Sequence, residues 1–199
     1  MLFRSMAVEF KESDFQTISE KEWPLDHTST KGLYPYIKRL GDDIVGIEIG
    51  TSCAESTYLL LEKCPNIKKI YTIDPYLQFE DWIGTITQDI LDRQMDIAKR
   101  NLDCFGDRVE MLRMTSKDAL KMFKKESMDF IFVDGDHSYE GTKWDCHNYY
   151  PILKEGGFFC SHDYGFLEDV RRAVDDFRKE EKIKAPVNPT LNTAFYWYK

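Results

Sequence analysis

Short apolar runs alternate with amphipathic stretches along most of this sequence. The runs span residues 44–49, 70–73, 109–112, 128–133, 158–161 and 193–198, and they are rich in β-branched and aromatic side chains. Such runs are typical of strands that are covered on both faces. Their regular alternation with helical stretches predicts an α/β protein with a mainly parallel sheet and helices on both faces.

Helix signals occupy the stretches between these runs. Thr51 and Ser52 can cap a helix whose apolar residues follow directly, and Thr115 with Ser116 can cap another that runs through residue 123. Further helices are predicted over residues 30–39, 87–102 and 141–153, the last closed by the glycines at 156 and 157, and over an amphipathic stripe from Phe166 to Phe177.

Four of the predicted strands end in glycine or polar residues. Gly50 follows the first strand and Asp74 the second, Asp134 with His137 follows the fourth, and His162 with Asp163 follows the fifth. The carboxyl ends of parallel strands meet at one edge of a sheet, and small ligands bind there in open α/β folds. We therefore expect these residues to lie together at a ligand site.

Two acidic residues at this edge each have two interpretations. Asp74 is placed to accept hydrogen bonds from a ribose diol, but it can instead cap a helix or form the turn before Pro75. Glu48 lies inside an apolar strand and needs a partner if it is buried, either an amine of a ligand or an internal Lys or Arg. The glycine turn lacks a full G-x-G-x-x-G, which disfavours a dinucleotide site.

Composition narrows the class of protein and of partner. The 199 residues suffice for one domain, and we expect residues 1–27 to form an N-terminal arm before a single domain at 28–199. A formal net charge of -8 argues against nucleic acid as a binding partner. No apolar run is long enough to cross a bilayer, so we expect no membrane insertion. Five scattered cysteines without a C-x-x-C pair predict a reducing, cytoplasmic location.

Several motifs together resemble the class I S-adenosylmethionine-dependent methyltransferases. They are Glu48-Ile49-Gly50, Ala54, Asp74, Asp134 and the Gly156-Gly157 turn. The strings from Phe132 to Tyr139 and from Ser161 to Tyr164 resemble more narrowly the small-molecule O-methyltransferases of the catechol, macrocin and cephalosporin-biosynthetic type. This resemblance implies a three-layer αβα Rossmann-like fold with about seven strands, the last of them antiparallel.

The resemblance also implies roles for individual residues. It implies cofactor contacts from Glu48, Gly50, Ser52, Ser56, Asp74, Ser116 and Asp134, with Asp74 on the ribose and Ser116 on the adenine side. It implies a divalent metal, expected to be magnesium, on Asp134, His162 and Asp163. The family usually carries Asp-Asn or Glu-Asp where this sequence has His162-Asp163, and a histidine there favours a softer ion than magnesium.

The implied reaction moves a methyl group to a hydroxyl of a small molecule or sugar. A metal would lower the pKa of that hydroxyl, and His137, one helical turn beyond Asp134, could act as the general base. His137 could instead cap the following helix. Two other functions stay open: a metal-dependent hydrolase or hydroxylase centre on Asp134, His137, His162 and Asp163, and a cofactor-binding module without catalysis. The oligomeric state, including a homo-oligomer, is open too.

Overall fold

A central sheet of seven strands organises the computed structural model, which describes residues 32–78, 87–190 and 194–199. The strands are β1 (Ile44–Ile49), β2 (Ile67–Ile73), β3 (Val109–Leu112), β4 (Met128–Val133), β5 (Leu153–Ser161), β6 (Asn188–Pro189) and β7 (Phe195–Tyr198). Their order across the sheet is β3-β2-β1-β4-β5-β7-β6. The arm predicted at residues 1–27 lies outside the described residues.

The pairing of the strands matches the predicted fold class. Strands β1 to β5 are parallel, whereas β7 runs antiparallel to both β5 and β6. The prediction of a Rossmann-like sheet with an antiparallel last strand is therefore confirmed. Strand β2 begins three residues earlier than predicted, and the two-residue β6 had no apolar run that could reveal it.

Six α-helices in the described residues cover the two faces of the sheet. They are α1 (Tyr34–Ile37), α2 (Glu55–Lys63), α3 (Gln88–Leu102), α4 (Ser116–Ala119), α5 (Tyr139–Tyr149) and α6 (Glu168–Glu180). Buried side chains of α1, α2 and α3 pack in one apolar cluster on one face. Those of α4, α5 and α6 pack in a second cluster on the other face. No helix in the described ranges combines the length and apolar character that a membrane span requires.

The glycine turn after β1 differs from its prediction. Helix α2 begins at Glu55 after Ala54, which has a left-handed backbone and gives no side-chain cap, so the prediction that Thr51 and Ser52 cap this helix is wrong. Ser52 is itself left-handed, with φ of 46°. The tight turn directs the backbone N–H groups of Thr51 and Ser52 to the carboxylate of Asp74 instead.

Other boundaries shift for local reasons. Helix α1 ends at Ile37, two residues before the predicted end, and α4 gives way to a single 3₁₀ turn, Leu120–Met122. Helix α5 ends at Tyr149 and a 3₁₀ turn, Tyr150–Ile152, follows because Pro151 has no N–H to continue the helix. Strand β5 then begins at Leu153, so Gly156 and Gly157 lie within a strand and do not stop a helix. Phe166 lies before α6 and is 76% exposed, so its place in the buried stripe is wrong.

Candidate active site at the carboxyl edge of the sheet

The residues that follow four parallel strands are held by the sheet itself. The backbone N–H groups of Gly50, Asp74, Asp134 and His162 each donate to a carbonyl at the end of the neighbouring strand, over 2.8–3.1 Å. These bonds extend the sheet ladder by one residue beyond each strand. The predicted site residues after β1, β2, β4 and β5 therefore stand side by side along one edge, which we call the carboxyl edge.

Gly50 lets the turn after β1 pass close to the loop after β4. Its φ is +91°, and a Cβ at this position would overlap the carbonyl oxygen of Asp134. Glycine is the residue that combines this backbone conformation with so close an approach. Gly50 thus sets how near the first and fourth strand ends can lie.

The Asp74 carboxylate joins the loop after β2 to the glycine turn. Its Oδ2 accepts from the N–H groups of Thr51 (3.1 Å) and Ser52 (3.0 Å), and its Oδ1 accepts from the N–H of Tyr76 (2.8 Å). Burial raises the pKa of Asp74, although these backbone hydrogen bonds oppose the rise. The turn-forming interpretation of Asp74 is therefore realised, and the carboxylate also lies at the edge where a ribose contact was predicted.

Glu48 is buried at 1% exposure with hydroxyl partners. Its Oε2 accepts from the side chains of Thr57 and Thr72, and Thr72 also bonds with Thr51. Burial raises the pKa of Glu48 from 4.5 to about 8, in spite of these hydrogen bonds. No Lys or Arg in the described ranges forms an ion pair with Glu48, so the internal salt bridge considered from the sequence is not formed there.

Two aspartates and two histidines converge after β4 and β5. One ligand atom from each of Asp134, His137, His162 and Asp163 lies within 4.8 Å of the others, and we call these residues the four-residue cluster. His162 Nδ1 lies 3.0 Å from Asp134 Oδ1 and 3.1 Å from Asp163 Oδ1. His137 Nε2 lies 3.1 Å from Asp163 Oδ2 and 3.5 Å from Asp134 Oδ1.

The cluster perturbs the acid–base behaviour of its members. Burial opposes charge on both histidines, but hydrogen bonds to Asp134 and Asp163 outweigh it and raise the pKa of His137 to about 9 and that of His162 to about 10. Burial also opposes charge on Asp163, yet hydrogen bonds from both histidines bring its pKa well below its ordinary value. The four residues thus interact as one charged unit.

The donor set fits a divalent cation. Two carboxylates and two imidazoles are the ligands that first-row transition metals accept, and imidazole is a poorer ligand for magnesium than oxygen is. A gap of about 10 Å³ has Asp134, His137 and His162 among its lining residues, close to the space that one water-sized particle needs.

The structure also places the remaining predicted site residues. Ser56 lies in the first turn of α2, whereas the side chain of Ser52 is exposed. Ser116 is the first residue of α4, and its carbonyl accepts from the Tyr149 hydroxyl at 2.7 Å. His137 precedes α5, so it does not lie one helical turn beyond Asp134, and Ser138 rather than His137 caps α5.

Sequence reasoning missed several residues that build this site. Thr57 and Thr72 are buried partners of Glu48, and Asp145 on α5 is 3% exposed beneath the carboxyl edge. Each of these three residues is polar but occupies a position where the apolar pattern of its helix or strand faces the core. That mismatch was the signal available in the sequence.

Comparison with protein families identifies the class. A family model described as a methyltransferase domain matches residues 47–164, which is more than half of the chain. The chain belongs to this methyltransferase family. The predicted class I S-adenosylmethionine-dependent methyltransferase is confirmed by this match together with the fold.

Individual relatives are more distant. An uncharacterized protein of Acanthamoeba polyphaga mimivirus is 26% identical over 152 residues, which cover 73% of this chain but only 62% of that relative's length. The O-methyltransferase of Bacillus cereus, solved in complex with SAH, is 18% identical with a TM-score of 0.65 and aligns over 97% of this methyltransferase and 94% of that chain. The O-methyltransferase NovP is 20% identical with a TM-score of 0.62, and the alignment covers 83% of this chain and 78% of NovP. These two likenesses show the shared fold.

Proposed function

We propose that this methyltransferase moves the methyl group of S-adenosylmethionine to a hydroxyl oxygen of a small molecule or sugar, with a divalent metal ion held by Asp134, His162 and Asp163. The observation that carries the proposal is the convergence of the four-residue cluster within 4.8 Å at the carboxyl edge. The O-methyltransferases with the same fold support oxygen as the acceptor atom.

The cofactor would lie along the carboxyl edge. Asp74 has accepted three backbone N–H groups, and a carboxylate offers about four acceptor sites, so its Oδ1 retains capacity for a ribose hydroxyl. Glu48 and Ser56 lie below the turn that Gly50 begins, on the side where the methionine part is expected. We infer that Gly50 and Ser52 line this path through their backbone.

The cluster would supply the acid–base chemistry. A sulfonium methyl is a good electrophile, so this protein has mainly to position the acceptor oxygen and remove its proton. A bound divalent ion lowers the pKa of a coordinating hydroxyl and offsets the negative charge of the two aspartates. Those charges hold His137 as an imidazolium, and with them offset His137 can accept the hydroxyl proton.

Two direct measurements test this proposal. Calorimetry with S-adenosylhomocysteine should show binding to the wild-type chain, and its absence would exclude the cofactor. Titration with Mn²⁺ should show one site that is lost in Asp163→Asn but retained in Asp136→Asn. Asp136 is a matched control because its Oδ1 accepts from the Ser138 N–H at 2.8 Å, outside the cluster.

A metal-dependent hydrolase or hydroxylase centre needs four residues that can chelate one ion, and the cluster meets that condition. The two functions differ in what they consume. Release of S-adenosylhomocysteine from S-adenosylmethionine, tested with a panel of phenols and sugars, would favour methyl transfer. Cofactor binding without turnover of any acceptor would favour the non-catalytic module.

A further inference from the structure

The loop after β5 is joined to α6 by a hydrogen bond that lies next to the four-residue cluster. Tyr164 directly follows Asp163, and its hydroxyl donates to Oδ1 of Asp175 over 2.7 Å. Its ring also packs against Phe195 of β7, with 4.6 Å between the ring centroids. Tyr164 is therefore held through both its ring and its hydroxyl, and Asp175 is the partner of the hydroxyl.

Asp163 has a backbone conformation that needs such support. Its φ is 56°, in the left-handed region that residues with a Cβ seldom adopt. Its carbonyl accepts from the N–H groups of Phe166 (2.9 Å) and Leu167 (2.8 Å), so the chain turns tightly at this point. A left-handed conformation costs free energy and persists where surrounding contacts hold it. The hydrogen bond of Tyr164 holds the chain at the residue directly after Asp163.

The sheet supports the other two proposed metal ligands directly. The backbone N–H groups of Asp134 and His162 donate to carbonyls of the neighbouring strands over 2.8 and 2.9 Å. Asp163 lies one residue further along the chain. Its carboxylate lies 3.1 Å from His162 Nδ1, but both residues are proposed ligands, so this contact cannot hold the carboxylate while both bind an ion. The position of Asp163 then depends on its loop.

Helix α6 gives this loop a fixed anchor. The side chains of Ala173, Val174 and Phe177 are fully buried, so the middle of α6 is packed firmly in the core. Asp175 directly follows Val174, and its own side chain is exposed. A hydrogen bond to a charged acceptor is stronger than one between neutral groups. Asp175 therefore fixes the Tyr164 hydroxyl relative to the core.

We propose that Tyr164 and Asp175 are positioning residues that hold Asp163 in the backbone conformation in which its carboxylate binds the metal ion. They act through Asp163 and do not touch the ion. This inference rests on the proposed function, since it takes Asp163 to be a metal ligand. Loss of the hydrogen bond should therefore weaken metal binding and leave cofactor binding unchanged.

A second tyrosine–aspartate pair on the same helix provides the comparison. The Tyr139 hydroxyl donates to Oδ2 of Asp176 over 2.8 Å. Asp176 is the residue after Asp175, but Tyr139 lies two residues after His137, which is the proposed general base and not a proposed metal ligand. Tyr139→Phe thus removes the same kind of hydrogen bond to the same helix from a loop position with a different proposed role.

The test measures the affinities for Mn²⁺ and for S-adenosylhomocysteine by calorimetry on the full chain. Tyr164→Phe keeps the ring and should weaken Mn²⁺ binding by roughly fivefold or more, the size expected for one lost hydrogen bond, with wild-type affinity for S-adenosylhomocysteine. Tyr139→Phe should keep the wild-type affinity for Mn²⁺. Asp175→Ala should match Tyr164→Phe, whereas Asp175→Asn should retain most of the affinity because its amide oxygen still accepts from the hydroxyl.

The two Asp175 variants separate the hydrogen bond from the charge. Both remove one negative charge, so equal losses of Mn²⁺ affinity would show that charge alone attracts the ion and would overturn the inference. Wild-type Mn²⁺ affinity in folded Tyr164→Phe, or an equal weakening by Tyr139→Phe, would also overturn it and leave the proposed function intact. If Tyr164→Phe does not fold, Asp175→Ala decides, and a wild-type affinity there overturns the inference. Failure of the wild type to bind Mn²⁺ would overturn the inference and remove the metal from the proposed function as well.

Discussion

At the scale of single residues, the site depends on carboxyl groups whose surroundings differ sharply. Hydrogen bonds from two histidines hold Asp163 as a carboxylate, whereas Glu48 is buried among hydroxyl groups. Because Glu48 has no cationic partner in the described ranges, its proton is retained to about pH 8. A carboxyl group thus contributes charge at one place and a neutral hydrogen-bonding group at another.

Glu48 should give folding stability a specific pH dependence. In the unfolded chain Glu48 ionises near pH 4.5, but in the folded chain only near pH 8, so the folded state binds more protons between these values. The free energy of unfolding should then fall with rising pH by up to about 1.4 kcal/mol per pH unit from this group. Urea unfolding at pH 5 to 8 should show this slope lessened in Glu48→Gln.

The exposed Glu62, one residue from the end of α2, provides the matched control. Glu62→Gln should keep the wild-type slope, because Glu62 is exposed and burial is what raises the pKa of Glu48. Parallel slopes in wild type and Glu48→Gln would contradict the assignment of a protonated Glu48.

His137 and Asp74 should affect different steps of the reaction. His137→Ala should slow methyl transfer by roughly a hundredfold or more, the usual size of a lost general base, and leave the affinity for S-adenosylhomocysteine near that of the wild type. Asp74→Ala should weaken cofactor binding instead. Steady-state kinetics measures the rate of methyl transfer in both variants, and calorimetry measures their affinity for S-adenosylhomocysteine. An equal loss of cofactor affinity in the two variants would contradict the assigned roles.

At the scale of elements, the sequence predicted the strands better than the turns. The ends of β3 and β4 match the predicted runs because apolar residues dominate both strands, although β3 contains Glu110 and β4 contains Asp129. The turn after β1 was misassigned since Thr51 has the side chain of a cap but uses its N–H on Asp74, a contact between residues far apart in sequence. Burial of Asp145 likewise depends on how α5 packs against the sheet.

Gly50 should be the least replaceable residue of the turn after β1. In Gly50→Ala the new methyl would overlap the Asp134 carbonyl, in addition to the strain of a positive φ. We expect a loss of about 3 kcal/mol or more in the free energy of unfolding and at least tenfold weaker cofactor binding. Gly41 supplies the comparison, because its φ is +107° but a Cβ there meets nothing within 4 Å.

Gly41→Ala should cost only about 1–2 kcal/mol, the strain of the backbone alone, and leave cofactor binding unchanged. Chemical denaturation and calorimetry on the pair separate the two contributions. Equal effects of the two substitutions would show that the approach of the turn to Asp134 is unimportant.

At the scale of the whole molecule, the fold brings distant segments of the chain to one edge. The sequence predicted that the residues after β1, β2, β4 and β5 converge, and the structure brings them together. The sequence also predicted that His137 lies with Asp134, His162 and Asp163, but not which aspartate oxygens it approaches, because the loop between β4 and α5 sets those distances. The cofactor and metal roles of these residues, and the cytoplasmic location, stay predictions.

A bound metal ion should stabilise the whole chain. An ion that binds only the folded state at about a hundred times its Kd adds about 2.7 kcal/mol, which raises the Tm of a protein of this size by several degrees. Because two imidazoles lie in the four-residue cluster, Mn²⁺ or Co²⁺ should give a larger shift than Mg²⁺ at equal concentration. Thermal unfolding of wild type, Asp163→Asn and Asp136→Asn measures the effect.

Only Asp163→Asn should lose the shift. A shift that persists in Asp163→Asn would mean that the ion binds elsewhere, and a larger shift with Mg²⁺ would contradict the preference inferred from the histidines.

The sheet hydrogen bonds continue into the site and fix the distances between the residues that follow neighbouring strands. Asp74 directly follows β2 and Asp134 directly follows β4, with β1 between the two strands. Since neighbouring strands lie about 4.8 Å apart, the backbones that carry the two carboxylates lie about 10 Å from each other, and sheet hydrogen bonds hold both of them. A ligand that contacts both Asp74 and Asp134 must span this distance. The spacing of the strands therefore sets the minimum length of such a ligand.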